Sequence, residues 1–171
     1  MGAFYTNYQV RSDSTADVVK ALGPLVRSRA YVSPTKNGWV TVYDEASDDQ
    51  SDVILREIAM GLSETLNTAV FAFVVHDSDV FLYWLFQSGR LIDELDSDPE
   101  YFGNKVNEAT RARLRGNTAA LLPLCRPGTT AAEIDAVLHD PDAPSGIADE
   151  LLADLAELLG MDDTRTALGF R

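Results

Sequence analysis

Cysteine is almost missing from this 171-residue chain, which holds a single one, Cys125. A lone thiol cannot close an internal disulfide, so covalent staples are excluded and the composition fits a reducing compartment. Its setting, Leu121-Leu122-Pro123-Leu124-Cys125, is apolar and far in sequence from either histidine, which reads as a buried thiol rather than an activated nucleophile. Positive charge is the second scarcity: 14 Lys and Arg stand against 27 Asp and Glu, a formal net charge of -13. That field repels a phosphate backbone and an anionic leaflet alike, so neither nucleic acid nor a membrane is an expected partner. No hydrophobic run approaches a membrane span, and Met1-Gly2-Ala3-Phe4-Tyr5 offers neither a basic segment nor the apolar core of a secretory leader. A cytoplasmic protein is expected. The Met1-Gly2 start with Thr6 has the outline of a myristoylation signal, against which the acidic surroundings argue. Internal repeats are missing, as is any catalytic or cofactor motif, and no cofactor is expected.

What is present suffices for a folded core, since the length and an apolar fraction of 46% are those of an ordinary globular protein. Phe4 to Val10 alternates as a strand does, with Phe4, Thr6, Tyr8 and Val10 on one face. Ser14-Thr15-Ala16-Asp17 has the form of a capping box ahead of Val18, Val19 and Leu22 at helical spacing, ended by Gly23-Pro24. Arg29–Ser33 and Trp39–Tyr43 read as strands joined through Asn37-Gly38, whose residues accept the positive φ of a tight hairpin. After the acidic loop 44–49, Ser51-Asp52 opens a helix with an apolar stripe at Ile54, Leu55, Ile58, Ala59, Leu62 and Leu66. Ala69–Val75 and Val80–Phe86 are nearly unbroken apolar runs suited to central strands, linked by His76-Asp77-Ser78-Asp79. Ser88-Gly89 turns the chain into a short edge strand, Arg90–Asp93.

The order is therefore β-α-β-β-α-β with an added hairpin, the ferredoxin-like pattern within the α/β class, a topology compatible with many functions. It would occupy residues 1–98. From 99 to 171 the alternation stops and helices are expected over 104–115, 117–124, 130–138 and 147–159, with a turn-rich linker at 140–146. Their apolar faces need cover, so this part is expected to pack on the first. Lys105, Arg111, Arg113, Arg115 and Arg126 precede a stretch, 127–163, without lysine or arginine, which suggests an internal ionic contact.

Two acidic groups are the candidate partner-binding residues: Asp44, Glu45, Asp48 and Asp49 in the first loop, and Asp93, Glu94, Asp96 and Asp98 in the second. Several carboxylates in one loop at 93–100 suit a hard cation, but an EF-hand loop needs alternating acids, a central glycine and a distal bidentate Glu, whereas a proline follows Asp98 and Gly103 comes late. The first group also suits the N-terminus of the helix that follows. His76 and Asp77 close a buried strand beside Ser78, without the glycines of a nucleophile elbow, and turn chemistry accounts for them. His139 ends a helix next to Asp140. If helices covered only one face of the sheet, Trp39 or Tyr83 would stay exposed as an anchor for a partner.

The sequence thus favours a non-catalytic interaction protein, of adaptor or immunity type, whose acidic surface meets a basic protein. A metal-assisted hydrolase using acids from 44–52 and 93–100 is the alternative, and a small-ligand regulatory domain, which could pair as a homodimer, the second.

Overall fold

Six strands form one antiparallel sheet in the computed structural model, which describes residues 2–141 and 148–171. They are β1 (Tyr5–Arg11), β2 (Ala30–Val32), β3 (Trp39–Asp44), β4 (Ala69–His76), β5 (Val80–Gln87) and β6 (Arg90–Asp96), in spatial order β2-β3-β1-β4-β5-β6. The hairpin between β2 and β3 closes where Asn37 and Gly38 take φ of 54° and 79°, bracketed by reciprocal backbone bonds of 2.9 and 3.0 Å between Lys36 and Trp39. Ser88 and Gly89 do the same between β5 and β6. The chain is a mixed α/β protein, as its patterning leads one to expect.

Alternation along the strands sorts their side chains into two buried layers. Tyr8, Val10, Val40, Val42, Val70, Ala72, Val74 and Trp84 face α1 (Thr15–Leu22) and α2 (Asp52–Leu66), which cover them with Val18, Leu22, Leu55, Ile58 and Leu62. Ser14 caps α1 by accepting the Asp17 N–H at 3.2 Å. The return bond of a capping box is replaced, because the Ser14 N–H donates to Ser12 Oγ instead.

The opposite layer is aromatic. Trp39, Phe71, Phe73, Phe81 and Tyr83 are covered by Leu121, Ile134, Leu152 and Leu155 from the C-terminal helices α4 (Thr118–Leu121), α5 (Ala131–Leu138) and α6 (Ala148–Leu159), which α3 (Glu108–Arg113) precedes and α7 (Asp163–Thr166) follows. Both faces are thus covered, and Trp39 and Tyr83 lie in the core at 2% and 0% exposure rather than presenting an anchor to solvent.

The ends of the elements depart from the sequence expectations for local reasons. The helix expected over 104–115 is confined to 108–113, because Asn107 caps it and Leu114–Gly116 leave it to join the outer edge of β6. There the Asp96 N–H donates to the Leu114 carbonyl and the Gly116 N–H to that of Glu94, at 2.9 and 3.2 Å. β6 accordingly runs to Asp96 instead of stopping at Asp93, with a bulge opposite Leu85 and Phe86. Of the expected linker and final helix, residues 142–147 lie outside the described residues, as does Met1.

The last segment of chain docks through buried polar groups as well as through Phe170, whose ring stacks on Tyr31 at 5.0 Å. Asn7 Nδ2 donates to the carbonyls of Thr166 and Leu168 at 2.8 and 2.9 Å, while Asn7 Oδ1 accepts from Gln9 Nε2 and Gln9 Oε1 from Thr41 Oγ1. All three side chains are buried, so each bond of this relay replaces one that water can no longer supply. Trp39 Nε1 and Tyr43 OH extend the contact by donating to the carbonyls of Leu159 and Arg165.

Candidate functional site

Sheet direction decides where the acidic loops meet. β3, β4 and β6 run the same way, since each is separated from the next by one antiparallel neighbour, so all three release the chain at one end of the sheet. The chain leaving β3 passes beneath that end through a 3₁₀ turn, Glu45–Asp49, to the start of α2. There the Asp52 carboxylate lies close enough to Asp96 to act on its charge.

The eight candidate acids divide by what they already hold. Asp44 is buried, accepting from Ser47 N, Ser47 Oγ and Ser28 Oγ at 2.7–3.0 Å, and so closes the 3₁₀ turn from inside. Glu45 pairs with Arg29 through two bonds, which hold its carboxyl below the usual range. Asp48 accepts the Phe170 N–H, whereas Asp49 is exposed. Asp93 is buried between Tyr83 OH and the Asn117 N–H, at 2.6 and 3.0 Å, and burial raises its pKa against these bonds. Glu94 is buried between Arg56 and Arg113. Asp96 is partly buried, and Asp98 stands in solvent. Of the five basic residues just before 127, Arg113 and Arg111 pair with Glu94 and Glu100, and Arg126 reaches into the later acidic stretch, to Glu157 at 3.5 Å, where the earlier Lys36 also pairs with Asp162 at 2.6 Å.

Burial raises the Asp96 carboxyl above its ordinary 3.8, and the carboxylates of Asp98 and Asp52 push it the same way, against a hydrogen bond from the Asp98 N–H. The folded state then holds a proton that the unfolded chain has released, so stability falls as pH rises from 3.8 through the folded value. Asp96→Asn keeps the acceptor and removes the charge. Its urea midpoint should exceed the wild type's at pH 7 and coincide with it below pH 3.8; equal midpoints at both would show that Asp96 feels no such crowding.

The same end carries four rings that sequence reasoning did not connect. His76, at the close of β4, lies 4.8 Å from Phe4, 5.0 Å from Phe102 and 5.9 Å from Tyr101, each edge to face, with Tyr101 and Phe102 5.1 Å apart. His76 Nδ1 meets Gln50 Oε1 at 2.7 Å, and Gln50 Nε2 donates to the Val75 carbonyl, which fixes the imidazole at the strand end. Phe4 and Phe102 keep 52% and 63% of their surface in water, an exposure that burial of apolar area would otherwise disfavour. Acids surround them: Tyr101 OH donates to Asp79 Oδ2 at 3.3 Å, and after partial burial the carboxylates of Asp79, Asp77 and Asp98 push its phenol up. A signal was available in the sequence. Tyr101-Phe102 is an aromatic pair within a polar, turn-forming stretch, where no strand or helix period calls for it.

The remaining candidate side chains, Asp77, Ser78, Cys125 and His139, each meet a neighbouring backbone group. Ser78 Oγ accepts the Ala3 N–H at 2.8 Å, and one Asp77 oxygen accepts that of Gly2. Cys125 is half-buried, with burial pushing its thiol up, and its Sγ meets the Leu121 carbonyl. His139 Nε2 faces the carbonyls of Arg115 and Gly116 at 3.2 and 3.3 Å, tying α5 to the strand-like segment beside β6. Among the described residues no three histidine, cysteine, aspartate or glutamate side chains converge as a metal ligand set, and no helix is long and apolar enough to cross a membrane.

Fold and site together define a mixed α/β protein whose six-stranded antiparallel sheet ends in an acidic, aromatic surface. No protein-family model, curated protein or solved structure matches the chain.

Proposed function

We propose that this is a non-catalytic interaction protein of adaptor or immunity type, which meets a basic protein partner through the acidic end of its sheet. The observation that carries this reading is the arrival of both acidic loops at one end, where exposed Asp79 and Asp98 adjoin the ring of Tyr101 and exposed Asp52 lies near Asp96. Carboxylates gathered on one surface draw a cationic partner in and turn anionic ones away, and exposed rings supply the apolar contact that charge alone lacks. Among the eight acids first singled out, Asp49 and Asp98 suit this role best, since Asp44, Asp93 and Glu94 are engaged inside the protein. The ferredoxin-like reading of residues 5–76 is supported by the order β2-β3-β1-β4 with α1 and α2 on one face. A reducing, cytoplasmic setting is supported by the single cysteine.

The test is capture of the tagged protein's partners from its native lysate, compared with the triple variant Asp49→Lys, Asp79→Lys, Asp98→Lys. One basic protein, held in near-equal amount at low salt, released at high salt and associating about tenfold more slowly with the variant, is the expected result. A partner equally well held by the variant, or self-association insensitive to salt as the only association, would overturn the reading.

A further inference from the structure

Arginines already lie over aromatic rings elsewhere in the chain: Arg11 over Trp39, Arg29 over Phe170 and Arg56 over Trp84, at 5.0–5.4 Å from the ring centres. Among the described residues the rings of Phe4, Tyr101 and Phe102 have no such cation, although Tyr101 lies within reach of the carboxylates of Asp77, Asp79 and Asp98. The arginine that reaches their loop, Arg111, pairs with Glu100 at 2.9 Å. Charge and ring surface at this end therefore call for the same thing, a cation from outside.

We propose that the rings of Phe4, Tyr101 and Phe102 around His76 seat an arginine side chain of the basic partner, with Asp79 and Asp98 taking its charge. This rests on the reading of the acidic end as a protein-binding surface and names the group recognised there. Arginine suits the site better than lysine. Its planar guanidinium stacks on a ring while its N–H groups reach carboxylates at the edge, whereas an ammonium is a compact, strongly hydrated charge. The rings are held for the purpose: Phe4 and Phe102 pack against His76 from separate segments, and Gln50 holds His76 from a third. The site thus exists before a ligand arrives, which lowers the ordering cost of binding.

The experiment is a nuclear magnetic resonance titration of labelled protein with the peptide acetyl-Gly-Arg-Gly-amide, and with the same peptide carrying citrulline, a neutral analogue of arginine. Saturable shifts at Phe4, His76, Tyr101 and Phe102 are expected with arginine, and binding about tenfold weaker with citrulline or in Phe102→Ala. Phe102 is 63% exposed, so the variant should retain the wild-type spectrum elsewhere. Equal shifts from both peptides, or arginine shifts confined to other surfaces, would overturn the proposal. The two readings separate cleanly: a captured partner that binds Phe4→Ala/Phe102→Ala as it binds wild type defeats the arginine seat and leaves the acidic surface standing. If wild type captures no basic partner, the acidic surface reading falls, and the peptide titration still decides the seat.

Discussion

Phe71→Ala should lower the unfolding free energy by about 3–5 kcal/mol, the usual cost of emptying a large aromatic site in a packed interior. Phe71 is fully buried at the centre of the aromatic layer, 5.2 Å from Phe73, 5.5 Å from Tyr83 and 6.0 Å from Trp39. No single neighbour can fill the gap, because each ring is held by its own strand and Trp39 is also tied to Leu159. Against a total stability of about 5–15 kcal/mol for a domain of ordinary size, that loss approaches unfolding. Urea denaturation of Phe71→Ala beside Phe71→Leu measures it. A cost under about 1.5 kcal/mol for the alanine variant, the range of volume-conserving changes, would mean that the C-terminal helices do not press on this face.

Asn7→Ala should act differently, by loosening one segment before the whole. The substitution leaves Gln9 Nε2 without its buried acceptor and the carbonyls of Thr166 and Leu168 without their donor. An unpaired buried polar group costs about 1–3 kcal/mol, so a total of about 2–4 kcal/mol is expected once water reaches the exposed Leu168 side and recovers part of it. The cheapest relief is to lift residues 163–171 and hydrate the strand surface beneath. Hydrogen exchange at the amides of Arg165, Thr166 and Ala167, which bond back to Asp162 and Asp163, should speed up, while β4 and β5 keep their protection. Unchanged exchange in α7 would show that the Lys36–Asp162 pair and the Tyr43 bond hold the segment without Asn7.

Much of this architecture is legible from period alone. Ala69–Val75 and Val80–Phe86 announce central strands because every position is apolar, and Asn37-Gly38 announces its turn because those residues accept positive φ. Period also says that both faces need cover. Which segment covers which face depends on contacts between residues far apart in sequence, such as Trp39 with Leu159, and no local pattern encodes them. The burial of Asn7, Gln9 and Thr41 is hidden for a related reason, since polar residues on a strand carry no signal of what will bond to them. Asp44, Asp93 and Glu94 read in sequence like Asp49 and Asp98, yet three sit inside and two outside. The difference lies in their partners: Asp44 caps a local turn by bonding Ser47 three residues on, whereas only the fold brings Asn117 to Asp93 and Arg56 to Glu94. The aromatic end was half visible: His76 stood out at a strand end, while Tyr101 and Phe102 reach it across the sheet from the loop after β6.

The two-sided cover of the sheet also sets a timetable. α1 and α2 emerge from the ribosome among the strands they cover, but Leu121, Ile134, Leu152 and Leu155 arrive after the last strand has been made. Until they do, Phe71, Phe73, Phe81 and Tyr83 face water as a continuous apolar surface, the kind that draws nascent chains into one another. Synthesis past β6 is therefore an interval of exposure, ended only when the trailing helices close over the rings. A chain cut short soon after Asp96 should be found in aggregates or bound to chaperones, because its sheet would be complete on one side and bare on the other.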